Sequence, residues 1–180
     1  MGFFPHLPPT SPRTCLGNPD WETKHGPVSR RNFFETEAYL ETNDSASHLF
    51  RRQTRRNAAI FSAPGFLYVY TIRAEYCLHF TTEREGVGAA VLIGALTPIW
   101  GISEMQHKRN KSDFLKLTGG PATLFQALEI NLLQNGSNLK TLDYLVINAG
   151  EKMVAQKIAA TSRIGISRGR DIPPRFVIAG

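Results

Sequence analysis

Cysteine is scarce in this chain. Cys15 and Cys77 are the only two among 180 residues, and they form no CxxC pair. That argues against a disulfide-stapled scaffold or a cysteine zinc site, and it fits a reducing compartment. Long apolar runs are lacking too. The longest, Val87 to Leu96, is broken by Gly88 and Gly94 and falls short of the roughly 20 residues a membrane-spanning helix needs. The opening MGFFPHLPPTSPRTCLG has no charged segment followed by a clean apolar one, so no secretory signal is expected. Gly2 alone is weak evidence for lipidation. Neither an internal repeat nor a low-complexity run is present. Acidic residues are outnumbered, 15 against 21 Lys and Arg, giving a net charge of +6 and a pI of about 9.6. This balance suits a polyanionic partner. With 42% hydrophobic residues, the chain can bury one core, so one domain is expected, with a tail.

The tail is residues 1–31, rich in proline, serine and arginine. The body starts near Asn32. FFETEAYL, residues 33–40, reads as a strand. Residues 41–57 read as a polar loop or short helix, and SAPG at 62–65 as a turn. FLYVYTI (66–72), EYCLHFTT (75–82) and AAVLIGAL (89–96) read as three strands of an antiparallel meander with short connections. Pro121 suits a first helical turn. After it, ATLFQALEINLLQ sets Leu124, Ala127, Leu128 and Asn131/Leu132 at helical spacing, closed by Asn135-Gly136. TLDYLVI (141–147), the RIGIS region and RFVIAG read as further strands. Strands with a few segregated helices make the class α+β.

Four constellations could carry chemistry. On the first strand, period two puts Glu35, Glu37 and Tyr39 on one face and Phe34, Thr36, Ala38 and Leu40 on the other. Taken as a pattern, two carboxylates and a phenol favour an exposed edge strand, where charge discourages pairing. The sharper alternative is a general base beside a stacking aromatic. Next, RRQTRR places Arg51, Arg52, Arg55 and Arg56 within six residues. Planar guanidinium forks suit phosphate oxygens, so phosphate contact is favoured over a merely solvated loop. In LYVY, Tyr68 and Tyr70 share a face opposite Leu67 and Val69. Such a stripe is either core or a site wall. His48 gains interest only if its loop folds over Tyr39.

These landmarks occur in a telling order: ETEAY, a loop histidine, RRNAAIF, PGFLYVY, AAVLIGAL, GGPATLFQALEIN, SRIGIS and RF. From residue 33 onward the chain resembles the alkyladenine (3-methyladenine) DNA glycosylases, monofunctional purine glycosylases of base excision repair. The resemblance implies a single α+β domain around a curved antiparallel β-sheet. It implies an N-glycosidic bond hydrolase that acts, without cofactor or metal, on double-stranded DNA containing damaged purines. A monomer, intracellular and DNA-associated, is expected, in cytoplasm and nucleoid or in a nucleus. By resemblance, Glu37 is the general base for a water attacking C1′ of a flipped nucleotide. Tyr39 and His48 stack on one side of the base and Tyr70 on the other. The backbone carbonyl of Ile164 helps hold the water. The glycosylase domain is expected over residues 32–180, short of the family's length at both ends.

Three positions depart from the family pattern. Gly94 stands where an arginine flanks the water. Arg73 lies near the place of a tyrosine wedge that enters the minor groove. His79 replaces an asparagine beside the bound base. Arg73 is therefore expected to contact DNA and His79 to line the base site. The departures also motivate an alternative, a relative that binds damaged DNA without excising the base. An arginine restored at position 94 would discriminate between the two.

Overall fold

The computed structural model describes residues 20–21, 29–41, 44–45, 47, 53–72, 75–98, 101–142, 158–166 and 175–178. Among them are seven strands: β1 (Asp20–Trp21), β2 (Ser29–Leu40), β3 (Leu67–Ile72), β4 (Glu75–Thr81), β5 (Ala89–Pro98), β6 (Ile158–Thr161) and β7 (Arg175–Ile178). Two α-helices accompany them, α1 (Ile102–Arg109) and α2 (Pro121–Leu128). The fold is a single α+β unit, with one sheet in the order β3-β4-β5-β2-β7-β6 and β1 paired to β2. Every pairing is antiparallel. The meander expected for β3, β4 and β5 is present. β1 and the start of β2 fall within the residues read from the sequence as tail.

Alternation along the strands sorts the side chains onto two faces. Leu67, Val69, Leu78, Phe80, Val91 and Ile93 join Leu96, Leu124, Phe125 and Ile130 in the main core. Helix α2 supplies Leu124 and Phe125 and packs on β4 and β5. Its first turn uses Pro121 as anticipated. On the opposite face, Tyr68 packs with Ile60, Phe61 and Ala90. β5 is covered on both faces, which accounts for its almost unbroken apolar sequence.

The exposed-edge reading of FFETEAYL is overturned: β2 lies inside the sheet between β5 and β7. Its pairing with β5 shifts register at two successive steps, where the ladder passes over Phe34 on β2 and then Gly94 on β5. The helix expected to run on to Gln134 stops at Leu128, and Glu129 takes a left-handed φ of 54°. Local capping explains the stop. The Asn131 side chain accepts from the Leu133 amide, and the Gln134 side chain accepts from the Asn131 amide, nucleating a separate 3₁₀ turn. The RIGIS strand is likewise displaced. β6 ends at Thr161, and residues 162–166 form a bend with Gly165 at φ 76°. Thr141 and Leu142 lie outside any strand, and residues 143–147 fall outside the described ones. Helix α1 was not anticipated, because ISEMQHKR buries only Met105 and shows no apolar stripe.

Candidate active site

Glu37 is the centre of the second face. It sits mid-strand opposite Leu92 on β5 and Arg175 on β7 and is only 3% exposed. A carboxylate so placed needs donors, and it has two. The Tyr39 hydroxyl donates to Oε2 at 2.8 Å. The Ile164 backbone N–H donates to Oε1 at 3.1 Å. Burial pushes the Glu37 carboxyl above its ordinary value, and nearby Glu35 adds to that. The Tyr39 hydroxyl, the Ile164 amide and the Arg163 guanidinium pull the other way without cancelling it. Burial and the Glu37 charge in turn keep Tyr39 protonated.

Aromatic rings continue from this point across the sheet. Tyr39 meets His79 edge-on at 6.0 Å, His79 lies 5.2 Å from Tyr68, and Tyr68 lies 5.8 Å from Tyr70. His79 is buried, with Nδ1 at 3.2 Å from the Tyr68 carbonyl oxygen. A carbonyl only accepts, so the hydrogen belongs on Nδ1. Arg56 covers the outer end of the row, with its guanidinium 4.6 Å from the Tyr70 ring and donating to the Thr71 carbonyl at 2.6 Å. Cys77, paired with Tyr70 across the hairpin, has its thiol pushed up to about 11 by burial and stays protonated near neutrality.

Two ion pairs frame the carboxylate. Arg163 grips Asp44 with both terminal nitrogens, at 2.8 and 2.5 Å. The same guanidinium lies 4.7 Å over the Tyr39 ring. On the other side, Arg175 donates to Glu35 Oε2 at 2.6 Å and to Thr161 Oγ1 at 2.9 Å. Glu35 lies over Gly94: a Cβ added at Gly94 would stand 2.8 Å from Glu35 Cγ and Oε1. A side chain at position 94 and Glu35 therefore compete for one space.

The structure thus brings Glu37, Tyr39, His79 and Ile164 together, with Tyr70 and Arg56 at the far end of the aromatic row. Ile164 reaches Glu37 through its amide, not its carbonyl, and the residue is 66% exposed. Arg55 is exposed. His48, Arg51, Arg52 and Arg73 lie outside the described residues. Sequence reasoning missed Asp44, Arg163 and Arg175. Arg163 and Arg175 stand inside the landmarks SRIGIS and RF, but no local window shows their partners, which lie more than a hundred positions away. Among the described residues no three His, Cys, Asp or Glu side chains are grouped to hold a metal, and no helix is long and apolar enough to cross a membrane.

Compared with known families, residues 13–180 match the model of methylpurine-DNA glycosylase (MPG). The chain belongs to the methylpurine-DNA glycosylase family. Three bacterial relatives carry the name "Putative 3-methyladenine DNA glycosylase". The chain is 44% identical over 147 residues to the one from Francisella tularensis, covering 80% of this chain and 76% of that one. It is 40% identical over 151 residues to that of Rhodopirellula baltica, covering 81% of this chain but 65% of the relative. It is 39% identical over 158 residues to that of Chlorobium luteolum, covering 87% and 80%. This methylpurine-DNA glycosylase family member therefore spans about two thirds to four fifths of these relatives' lengths.

Proposed function

We propose that the protein is a DNA-repair hydrolase that excises alkylated or deaminated purines of the 3-methyladenine type from duplex DNA. One observation carries the reading: a buried carboxylate, Glu37, held by two neutral donors at the head of a row of aromatic rings. Each Glu37 oxygen accepts one hydrogen bond and keeps lone-pair capacity for a water. Burial raises its proton affinity, which strengthens it as a base while the two donors limit protonation. In the proposed reaction Glu37 takes a proton from water as that water attacks C1′. The glycosidic bond breaks and its electrons leave with the purine.

The base must first leave the helix, at a cost of a few kcal/mol. Stacking on Tyr39 and His48 on one side and Tyr70 on the other would recover about 1–3 kcal/mol per base. His79 lines the same wall, and the Ile164 carbonyl holds the water. A cationic alkylated purine is already a good leaving group and is drawn to electron-rich rings. The site segments 33–41, 66–72, 75–82, 89–96 and 163–166 contain no lysine. A Schiff base is therefore not expected from them, nor strand cleavage after excision. Arg51, Arg52, Arg55, Arg56 and Arg73 supply phosphate and groove contacts. Arg56 is anchored on Tyr70 and so ties the DNA contact to the base site.

The deciding assay offers duplexes bearing 3-methyladenine, hypoxanthine or ethenoadenine. The proposal expects free base from at least one of them, lost in Glu37→Gln. No release from any, by protein that melts cooperatively, would refute it. The binding-only alternative draws on one observation: a second carboxylate, Glu35, occupies the space over Gly94 beside Glu37. That reading expects salt-dependent DNA binding without excision.

A further inference from the structure

The Asp44–Arg163 pair is almost wholly removed from water, with side chains 3% and 0% exposed. Stability alone is a poor reason for such a pair. Desolvating two charges costs about as much as their attraction returns, and apolar replacements are often neutral or better. Its connections point elsewhere. Asp44 accepts from the Leu40 amide at 3.1 Å, at the end of β2. Arg163 donates to the Ala38 carbonyl at 3.1 Å, between Glu37 and Tyr39. Its guanidinium covers the Tyr39 ring, and the next residue's amide is the one that donates to Glu37. One side chain thus touches the backbone beside the base, the ring whose hydroxyl bonds the base, and the segment supplying its second donor.

We propose that Arg163, clamped by Asp44, is a positioning residue that sets the orientation and ionisation of Glu37. This rests on the reading of Glu37 as general base, but the two can fail separately. Among the described residues, the charged and titratable groups around Glu37 are Glu35 and Tyr39 on β2, Arg175 on β7, Cys77 and His79 on β4, and Arg163 with Asp44. Of these, Arg163 favours the ionised form by its charge and also holds both donors. Removing it should leave Glu37 protonated to higher pH.

The test titrates the ¹³C-labelled glutamate carboxylates of the full chain by NMR, with the Glu37 signal identified by its loss in Glu37→Gln. Arg163→Gln is expected to raise the Glu37 midpoint. Where lesion release is measured, the acid limb of kcat/KM should rise in parallel. Arg163→Lys keeps the charge but cannot fork onto Asp44 or cover Tyr39, so a smaller rise is expected. It carries the test if Arg163→Gln does not fold. Leu117→Ala, in the separate cluster with Met105 and Ala127, should lower the melting temperature and leave the midpoint alone. A Glu37 midpoint equal to wild type in the folded Arg163 variants overturns the proposal, whatever the lesion assay gives. So does a rise of equal size in Leu117→Ala. Absence of base release from wild type refutes the glycosylase reading and leaves the titration to decide Arg163 independently.

Discussion

The two faces of the sheet obey different rules. On one, Leu67, Val69, Leu78, Phe80, Val91 and Ile93 meet Leu124 and Phe125 of helix α2 and form an apolar core. On the other, Glu35, Glu37, Tyr39, His79, Tyr68 and Tyr70 stand side by side, and nearly every polar group there is tied by a hydrogen bond or ion pair. The same backbone carries both. The first face maximises apolar burial, at about 25 cal/mol per Å². The second keeps a carboxylate in the sheet interior at an energetic cost, and such placements cluster at functional sites. Function sits where the strand pattern alternates between the two.

The largest effect should follow from Glu37→Gln. Base release is expected to fall about 10²- to 10⁴-fold, the range for losing a general base. Stability should move the other way. Because the folded carboxyl titrates above its usual value of 4.5, the native state holds its proton longer than the unfolded chain. The stability this contributes is complete below the unfolded value and lost as pH rises through the folded one. Glu37→Gln removes that loss. Its melting temperature should exceed wild type at pH 7 and converge with it near pH 4. Identical melting curves at both pH values would count against the buried, proton-retaining carboxylate.

On the core face, Leu78→Ala should lower stability by about 2–5 kcal/mol, as for other buried large-to-small changes. Base release by the folded fraction should stay near wild type. A urea titration read alongside the lesion assay checks this, and a selective loss of turnover would blur the division between faces. Gly94→Arg should not improve the site. Its Cβ would strike Glu35 and force that carboxylate off Arg175, an overpacking that typically costs about 1–3 kcal/mol. Lower thermal stability and no gain in base release are expected; faster release would show that the Glu35–Arg175 arrangement is dispensable. The smallest effect belongs to Arg56→Ala at the rim. DNA affinity should weaken uniformly across sequences, with the salt slope reduced by about one. Unchanged binding across a salt series would remove Arg56 from the DNA-contact surface.

Much of this arrangement can be read locally. FFETEAYL and LYVY sort their own residues onto faces, since a strand alternates wherever it lies, and Pro121 marks its helix start for an equally local reason. The failures share a cause as well. ATLFQALEINLLQ satisfies a helical pattern, yet Asn131 and Gln134 form a capping box that outcompetes the continuing helix. ISEMQHKR forms a helix without an apolar stripe, because its one buried residue, Met105, packs against Leu117 and Ala127. Pattern also favoured an exposed edge for Glu35 and Glu37, because charge on a strand is ordinarily solvated.

By itself, then, the sequence determined that Glu35, Glu37 and Tyr39 project together, that Tyr68 and Tyr70 do the same, and which strands form the meander. These follow from backbone geometry within a few residues. Only the tertiary structure decided that β2 lies between β5 and β7, burying Glu37. It alone brought the Ile164 amide and Arg163 to that carboxylate from about 125 residues away, and placed Glu35 in the space over Gly94. Strand order and long-range donors depend on how the whole sheet satisfies its apolar and polar groups at once, and no local window contains that balance.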